Sequence, residues 1–292
     1  MRRVGILVHP RWEAAQELGR QLEIFLRRHI EEVWLSTAWD EKATQLIVGT
    51  DLLVCVGGDG TVLWAARSMV PHRVPIVGVS MGRLAFLAEV QPHEAQDCLL
   101  KALQGGGRLE ERWLLQATLR DTTTYGLNDV VVGRSHLGRP IDVEVALAGQ
   151  SIALYRADAV IVATATGSTA YSLSAGGPIL PPESRDLVIT PVAPHMAASR
   201  SIVLPPDSLV SLCIRGEFPG YMSVDGQDET LLPPGQVVQV ATSPYWVPFL
   251  RLSPPYRDYL LLAQRLGWNP FPGDLNRRPY MEMTEEAHHG PQ

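Results

Sequence analysis

The sequence predicts an α/β domain followed by an all-β domain, and three observations lead to this prediction. Over the first 105 residues, short apolar runs alternate with stretches of helical spacing, a pattern typical of parallel strands joined by helices. Three glycines at residues 105–107 then end the last helix and mark a candidate boundary. Beyond them, β-branched runs separated by glycine and proline turns predict strands as far as residue 249.

The predicted domain bounds follow from these changes. We assign residues 1–105 to the α/β domain and residues 106–249 to the all-β domain. Residues 250–268 are expected to form a helix that completes the first domain. Residues 269–292 are rich in proline and polar side chains and are expected to be a loose tail. A chain of 292 residues is long enough for two such domains.

In the first domain, the expected elements alternate along the chain. The predicted strands are residues 4–8, 33–35, 52–56 and 75–79, and the predicted helices are residues 12–28, 42–48, 61–69 and 91–104. Ligands of parallel sheets bind at the carboxyl ends of the strands. The loop that follows residue 56 is therefore a candidate binding site.

In the second domain, the expected elements are all strands. They are residues 109–119, 124–132, 141–147, 150–154, 159–163, 187–189, 201–204, 209–214 and 237–241. A block of this length is a reasonable single domain.

Composition and charge exclude several classes of protein. A net charge of −6 gives no support to a nucleic-acid surface, which would need a clustered basic face. The three cysteines show no spacing pattern, which argues against disulfides or a zinc site and fits a reducing compartment. The first apolar run ends at His9, too soon for a signal peptide, and no apolar stretch is long enough to span a bilayer. We expect a soluble, cytoplasmic protein without membrane partners.

The segment GGDGT is the part of the first domain that carries chemistry. The predicted phosphate loop consists of Gly57, Gly58, Gly60 and Thr61, with a helix that begins at Thr61. Backbone N–H groups of such a loop, with the dipole of the following helix, suit a phosphate. Asp59 would repel that phosphate unless it accepts a proton or holds a metal, and phosphoryl transfer to a hydroxyl needs such a carboxylate. The segment is neither a Walker A loop nor a dinucleotide fingerprint.

Other polar segments are candidates for binding. Asn128 and Asp129 form either a turn or a pair that holds a ribose, the carboxylate accepting a hydroxyl proton. Residues 163–178 are dominated by small and hydroxylated side chains, which must bond either to their own turns or to a ligand. We favour a binding role for them, because functional residues concentrate on loops. Phe86 either frames a planar ligand or packs in the core.

Together these segments resemble those of NAD kinases, the enzymes that phosphorylate the adenosine 2′-hydroxyl of NAD. The GGDGT motif alone is shared with diacylglycerol kinases, sphingosine kinases and phosphofructokinases, whereas the segment 166–178 is highly specific. The resemblance runs in order over nearly the whole chain. The matching segments are residues 57–61, 82–87, 128–129, 155–158, 166–178, 189–195 and 224–227.

The resemblance implies roles for individual residues. Asp59 would accept the proton of the 2′-hydroxyl, and Gly60 would lie against NAD. Asn128 and Asp129 would hold the adenosine part of NAD. The resemblance also implies that Arg139 is a basic contact to NAD and that Arg156 and Asp158 face the nicotinamide end. Gln227 would close the site. The residues expected along the dinucleotide are Thr169, Ala170, Tyr171, Ser172, Leu173 and Ser174. No protein ligand to a metal is predicted.

The resemblance also implies a fold and partners. The expected fold is a Rossmann-like N-terminal domain with a C-terminal β-sandwich domain. The expected substrates are NAD and ATP, with Mg²⁺ as the divalent cofactor. The expected assembly is a homodimer or homotetramer, without nucleic acid or membrane.

The sequence departs from the pattern of the family at several positions. Trp64 stands where a basic residue near the phosphates is common, which affects the expected donor contacts. Two alternatives follow: a lipid kinase of the diacylglycerol type that shares the glycine loop, and a sensor that binds NAD or NADP without turnover. Asp59 is retained and favours the kinase.

Overall fold

The structure is a computed structural model that describes residues 1–82, 85–136, 138–195, 200–253, 259–260 and 262–263, apart from the side chain of Asp228. Residues 1–252 form one compact unit and residues 253–292 form a second. In the second unit, the described residues 259–260 and 262–263 are helical. No helix among the described residues is long and apolar enough to cross a bilayer.

The elements of the first unit follow in chain order. The strands are β1 (Arg3–Val8), β2 (Glu32–Thr37), β3 (Leu52–Gly57), β4 (Ile76–Ser80), β5 (Arg108–Leu119), β6 (Thr122–Gly126), β7 (Asp129–Arg134), β8 (Ile141–Leu147), β9 (Gln150–Ala157), β10 (Ala159–Ala163), β11 (Leu187–Val192), β12 (Ile202–Leu204), β13 (Val210–Arg215), β14 (Gly220–Val224), β15 (Gln227–Leu232) and β16 (Val237–Arg251). The helices are α1 (Glu13–Leu26), α2 (Glu41–Ile47), α3 (Asp59–Ser68), α4 (Ala95–Leu103) and α5 (Tyr171–Ser174), with 3₁₀ turns at Pro92–Glu94 and Gly167–Thr169.

The strands of the described residues form two sheets. In the first sheet the order is β2-β1-β3-β4-β16-β13-β8-β9, and β5 pairs with both β16 and β6. The strands β1 to β4 are parallel, and β16 joins them in parallel at β4 while it pairs with β5 and β13 in antiparallel fashion. The second sheet has the order β12-β11-β10-β7-β14-β15 and is antiparallel.

Helices cover both faces of the parallel strands. Successive residues of a strand point to opposite faces, so Ile6 packs with α1 and α4, whereas Leu7 packs with α2 and α3. The apolar side chains of α1 recur at helical spacing, with Ala15, Leu22 and Leu26 buried. This layered arrangement buries β3 completely and leaves its carboxyl end as the start of the glycine loop.

A second core lies between the two sheets of the C-terminal part. Buried side chains alternate along β8, where Val143 and Val145 face the core, and the same cluster contains Val130 of β7 and Val160 of β10. The chain therefore has an N-terminal α/β part and a C-terminal part that is mostly β-sheet, as the sequence predicts.

The structure corrects several predicted elements. The strand expected at residues 124–132 is two strands, β6 and β7, interrupted at Leu127 and Asn128. The hairpin of β14 and β15 was not predicted, and β16 is fifteen residues long where only residues 237–241 were expected. Residues 250 and 251 belong to β16 and not to a helix, and most of the rest of the helix predicted at 250–268, like the tail 269–292, lies outside the described residues.

The predicted boundary near residue 105 falls between α4 and β5. The first sheet nevertheless continues across the two parts, because β16 returns from the C-terminal part and pairs with β4. The division at residues 105 and 106 stays a prediction.

Gly78 of β4 permits the close approach of the segment 85–90. A Cβ atom at Gly78 would lie 2.6 Å from Cα and 2.9 Å from Cβ of Ala88. The backbone of Val90 also bonds to this strand, donating its N–H to the carbonyl of Gly78 at 3.0 Å. Because Gly78 has no side chain, the segment 85–90 can lie directly against β4.

We predict that Gly78→Ala lowers the free energy of unfolding by about 1–3 kcal/mol, because the new methyl group meets backbone that cannot move freely. Urea denaturation measures the change. Gly82→Ala is the matched control, since a Cβ atom at Gly82 meets no atom within 4 Å. Equal stability of the two variants would show that the segment shifts without cost.

Candidate active site

The glycine loop occupies the end of β3 and the first turn of α3. Gly57 is the last residue of β3, Gly58 is the N-cap of α3, and the helix begins at Asp59, two residues before the predicted start. No side chain caps the first turn. The N–H of Thr61 donates to the carbonyl of Gly58 at 3.1 Å, so a ligand would meet the N–H groups that precede Thr61. A helix start of this kind, with its positive dipole end, suits an anionic group.

Asp59 is held by the backbone of the neighbouring segment. Its Oδ2 accepts a hydrogen bond from the N–H of Phe86, and its Oδ1 accepts one from the N–H of Leu87, each at 3.0 Å. Two donors from successive residues orient the carboxylate and leave each oxygen a further lone pair for a ligand. The residue is half-buried in the first turn of α3.

A buried network of charges supports this segment from behind. Nη1 of Arg251 donates to the carbonyl of Leu87 at 3.1 Å, and its Nε donates to Glu110 at 3.0 Å. Glu110 also pairs with Arg112 at 2.5 Å, and Glu89 accepts the N–H of Leu252 at 2.6 Å. Burial by itself raises the pKa of Glu110, but the two arginines outweigh it and lower the pKa to about 2. Sequence reasoning did not single out Arg251.

A tight turn between β14 and β15 organises the residues around Asn128. Asp225 and Gly226 both have positive φ, 53° and 66°, which is the two-residue hairpin turn that an Asp-Gly pair favours. The carboxylate of Asp225 accepts the N–H groups of Leu127 at 2.9 Å, Asn128 at 2.7 Å and Asp129 at 3.2 Å. Asp225 was not among the predicted site residues, although the Asp-Gly pair is a recognisable turn signal.

Asp129 and Asp225 form a coupled pair of buried carboxyl groups. Burial raises the pKa of Asp129 to about 7, and the neighbouring charge of Asp225 adds to the rise. Burial also raises the pKa of Asp225, although the N–H donors of Leu127 and Asn128 and the charge of Arg67 oppose it. Since the three N–H donors favour an ionised Asp225, we assign the shared proton to Asp129. With a pKa of about 7, Asp129 can donate a hydrogen bond when it is protonated. Its predicted role in holding the ribose stays a prediction.

Residues 164–174 satisfy most of their hydroxyl groups internally. The hydroxyl groups of Thr164, Ser168 and Thr169 donate to carbonyl groups of the same region, at distances of 2.5 to 3.1 Å. Ser172 is fully buried and bonds to Thr190 at 2.9 Å, so its side chain has no surface for a ligand. The hydroxyl of Thr166 is buried without a hydrogen-bond partner among the described residues.

The same segment touches Asn128 directly. The N–H of Thr164 donates to the carbonyl of Asn128 at 2.9 Å. A Cβ atom at Gly167 would lie 2.0 Å from that carbonyl oxygen, so only glycine permits this approach. Of the other predicted contacts, Tyr171 is exposed, Thr169 and Ala170 are half-buried, Leu173 is half-buried and Ser174 is exposed.

The helix α3 connects the glycine loop with this region. Its Val62 and Leu63 share a core with Leu127, and Nη1 of Arg67 lies 3.3 Å from the carbonyl of Val224 and 3.4 Å from Oε1 of Gln227. Arg67 was not predicted as a site residue. A cleft of about 340 Å³ opens beside it, lined by Trp39, Trp64, Arg67, Ser68, Thr123, Thr124, Tyr125 and Gln227.

Three further predicted contacts lie elsewhere: Asp158 at the opposite end of the second sheet, Arg156 in β9 of the first sheet, and Arg139 between β7 and β8. Asp129 pairs with Ala163 and Gly133 pairs with Ala159, so Asp158 lies at the far end of β10 from Thr164. Asp158 forms an ion pair with Arg134 at 2.8 Å. The other two are exposed: Arg156 at the end of β9, and Arg139, whose guanidinium lies 5.1 Å from the ring of Phe218. The structure does not bring these residues to the glycine loop, and their binding roles stay predictions.

Comparisons with known proteins find relatives along most of the chain. The family model of the ATP-NAD kinase N-terminal domain matches residues 41–107, and that of the ATP-NAD kinase C-terminal domain matches residues 127–252. The NAD kinase of Chloroflexus aggregans is 38% identical over 278 residues, which cover 91% of this chain and 99% of the relative. The NAD kinase of Dehalococcoides mccartyi is 36% identical over 275 residues, covering 92% of this chain and 97% of the relative.

Solved structures share the fold. Yeast NADH kinase complexed with NADH superposes with a TM-score of 0.82 at 23% identity, over 93% of this chain and 89% of that chain. An NAD kinase from Archaeoglobus fulgidus in complex with ATP gives a TM-score of 0.76 at 23% identity, over 91% of this chain and 99% of that chain. Both family domains and relatives that match along their whole length lead to one conclusion. This chain belongs to the NAD kinase family.

Proposed function

We propose that this chain transfers the γ-phosphoryl group of ATP to the 2′-hydroxyl of the adenosine ribose of NAD, with NADP and ADP as products. The observation that carries the proposal is the carboxylate of Asp59, held by two N–H donors in the first turn of a helix that starts at a glycine loop. Such a turn binds phosphate, and such a carboxylate accepts a proton.

The chemical step needs few groups from the protein. The 2′-oxygen forms a bond to the γ-phosphorus, the bond from that phosphorus to the bridging oxygen breaks, and ADP leaves with the bridging oxygen. The proton of the hydroxyl passes to Asp59. N–H groups of the first turn of α3 stabilise the charge of the transferred group.

The acceptor lies on the side of Asp59 that faces the C-terminal part. Asn128 and the segment 166–174 are proposed to hold the adenosine part, and a protonated Asp129 supplies a hydrogen bond from beneath. Arg67 is well placed to orient Gln227, because its guanidinium lies between Gln227 and the turn at Val224. Arg156 and Asp158 are proposed for the nicotinamide end and Arg139 for a further basic contact with NAD. Asp158 lies at the far end of β10 from Thr164, which supports its place in this proposal.

Mg²⁺ is proposed to arrive with the donor as Mg-ATP. This ion is commonly held by substrate phosphates, water and one or two carboxylates. Among the described residues no cluster of three or more histidine, cysteine or acidic side chains is arranged around a metal position. When bound, the ion neutralises charge on the phosphates.

The assembly and location are proposals of the same kind. The described cysteines Cys55, Cys98 and Cys213 are free thiols, which supports a reducing compartment such as the cytoplasm. A homodimer or homotetramer is proposed because the resemblance to the NAD kinase family implies one. The net charge of −6 favours neither a nucleic acid nor an anionic membrane as partner.

We expect purified protein with Mg-ATP and NAD to produce NADP, which a dehydrogenase specific for NADP detects. Inorganic polyphosphate as donor and NADH as acceptor extend the assay to the range of substrates. Protein that binds NAD but forms no NADP with either donor would be a sensor, and the proposal would fail.

We expect Asp59→Asn to lower kcat by about 10²- to 10⁴-fold, because the variant lacks the proton acceptor. The amide nitrogen would also face one of the two N–H donors, which costs about 1–3 kcal/mol of stability. Turnover is therefore measured where circular dichroism shows the variant folded. Asp207→Asn, at an exposed position, is the control. Turnover near wild type in Asp59→Asn would remove Asp59 from the mechanism.

We expect Arg251→Lys to lower kcat roughly 10- to 100-fold with a smaller change in KM for NAD, because lysine cannot bond to Glu110 and Leu87 together and a slight shift of Leu87 misplaces Asp59. Arg251 is here a positioning residue. The control is Arg215→Lys, which alters the exposed ion pair with Glu144. Loss of stability without loss of kcat in Arg251→Lys would give Arg251 a structural role alone.

A further inference from the structure

Four aromatic side chains adjoin the glycine loop, and the proposed reaction does not use them. His9 and Trp12 follow β1, Trp39 follows β2, and Trp64 lies in α3. The strands β2, β1 and β3 are neighbours in that order, so the loops at their carboxyl ends share one edge of the sheet. This is the edge at which parallel sheets bind ligands.

The rings of His9, Trp12 and Trp39 form a continuous surface, here called the aromatic platform. His9 stacks on Trp12 with ring centroids 4.4 Å apart and an angle of 24°, and its edge meets Trp39 at 5.4 Å. Trp64 extends the surface, 6.4 Å from Trp39. Burial, with the charge of Arg11, lowers the pKa of His9, so the imidazole packs as an uncharged ring at pH 7.

The platform touches the loop where glycines leave the backbone open. A Cβ atom built on Gly58 would lie 3.4 Å from the ring of Trp12, and one built on Gly60 would lie 4.0 Å from the ring of Trp39. A group bound to the first-turn N–H groups of α3 would therefore have the aromatic platform beside it.

The platform presents large apolar surface to solvent and includes a strained residue. Trp12 is 41% exposed and Trp39 is 42% exposed. Trp39 has a φ of 64°, which is uncommon for any residue other than glycine and unfavourable for a bulky one. Strain of this kind concentrates at ligand sites, where the surrounding structure holds a side chain in a set position.

The order of the strands places His9 and Trp12 away from Phe86 and Leu87, which hold Asp59. The carboxylate of Asp59 bonds to Phe86 and Leu87, which follow β4, on one side of β3. His9, Trp12 and Trp39 follow β1 and β2, on the other side of β3. Trp39 also lines the cleft beside Arg67 and Gln227. Since the attacking and leaving oxygens of phosphoryl transfer lie roughly in line, a donor reaches the loop from the side away from the acceptor hydroxyl.

We propose that the aromatic platform stacks the purine base of a nucleoside triphosphate whose phosphates lie on the glycine loop. The proposal rests on the proposed function, which places the γ-phosphate at this loop. Stacking recognises the π-face and not the pattern of hydrogen bonds, so GTP should serve as well as ATP. Inorganic polyphosphate has no base and gains nothing from the platform.

The test compares wild type with the double variant Trp12→Ala, Trp39→Asn. Asparagine tolerates the positive φ of position 39, and the side chain of Trp12 makes no capping hydrogen bond to α1, so neither change removes a backbone contact. Tyr221→Ala is the control, an exposed aromatic residue on β14. Calorimetry measures the Kd of Mg-ATP and of magnesium tripolyphosphate without NAD, and steady-state kinetics measure KM for ATP and for NAD.

We expect the double variant to bind ATP roughly 5- to 100-fold more weakly, with the affinity for tripolyphosphate and the KM for NAD nearly unchanged. The control should match wild type. The proposal is overturned if wild type does not bind ATP or binds it no better than tripolyphosphate. It is also overturned if the double variant still prefers ATP to tripolyphosphate, or if the KM of the double variant rises for NAD and not for ATP.

Failure of the proposed function has a different signature. Wild type would then bind ATP and lose that affinity in the double variant, yet form no NADP from NAD. The calorimetric measurements therefore test whether the aromatic platform binds the base, and they do not depend on turnover.

Discussion

The bond between Asp59 and the segment 85–90 is the constraint on which the site depends. The carboxylate accepts two backbone N–H groups, and those groups are in place only because the segment lies flat against β4. Gly78 permits this approach on one side, and Arg251 holds the carbonyl of Leu87 on the other. The group proposed to accept the proton is thus positioned by residues far from it in sequence.

β16 joins this arrangement to the C-terminal part. It begins in the antiparallel region beside β13, reaches the parallel strands at Phe249, and ends with Arg251 in the buried network. A buried charge is costly without its partner. Arg251 and Glu110 are both almost fully buried, so the charge of Arg251 is paired and its bond to Leu87 is made only when β5, β16 and the segment 85–90 are together. One strand therefore links the folding of the two parts and the position of Asp59.

The second half of the site is also arranged by a single carboxylate. Asp225 accepts three successive N–H groups across the gap between β6 and β7, and it interrupts what would otherwise be one strand. Burial, with the neighbouring charge of Asp225, raises the pKa of Asp129 to about 7. Since Arg67 of α3 reaches the same turn, the helix that begins at Asp59 ends against the element that shapes the acceptor side.

The sequence by itself determined the order of elements in the α/β part, because the apolar runs that become β1, β3 and β4 are short, continuous and bounded by turn residues. It also determined the family, because the GGDGT loop and the segment 166–178 are local patterns. Each can be recognised from its own residues, without knowledge of the rest of the chain. Asp59 could be singled out in the same way, since it is the carboxylate within a predicted phosphate loop.

Only the tertiary structure decided the rest. The hairpin of β14 and β15 escaped prediction even though Asp225-Gly226 is a turn signal, and β16 was expected to be a third of its length, because its identity as a strand depends on partners more than a hundred residues away. Asn128 and Asp129 are compatible in sequence with either a turn or a ribose site, and the raised pKa of Asp129 comes from burial and from Asp225. Arg251 carries no local signal at all. A buried charge is defined by what surrounds it, and the sequence does not state its surroundings.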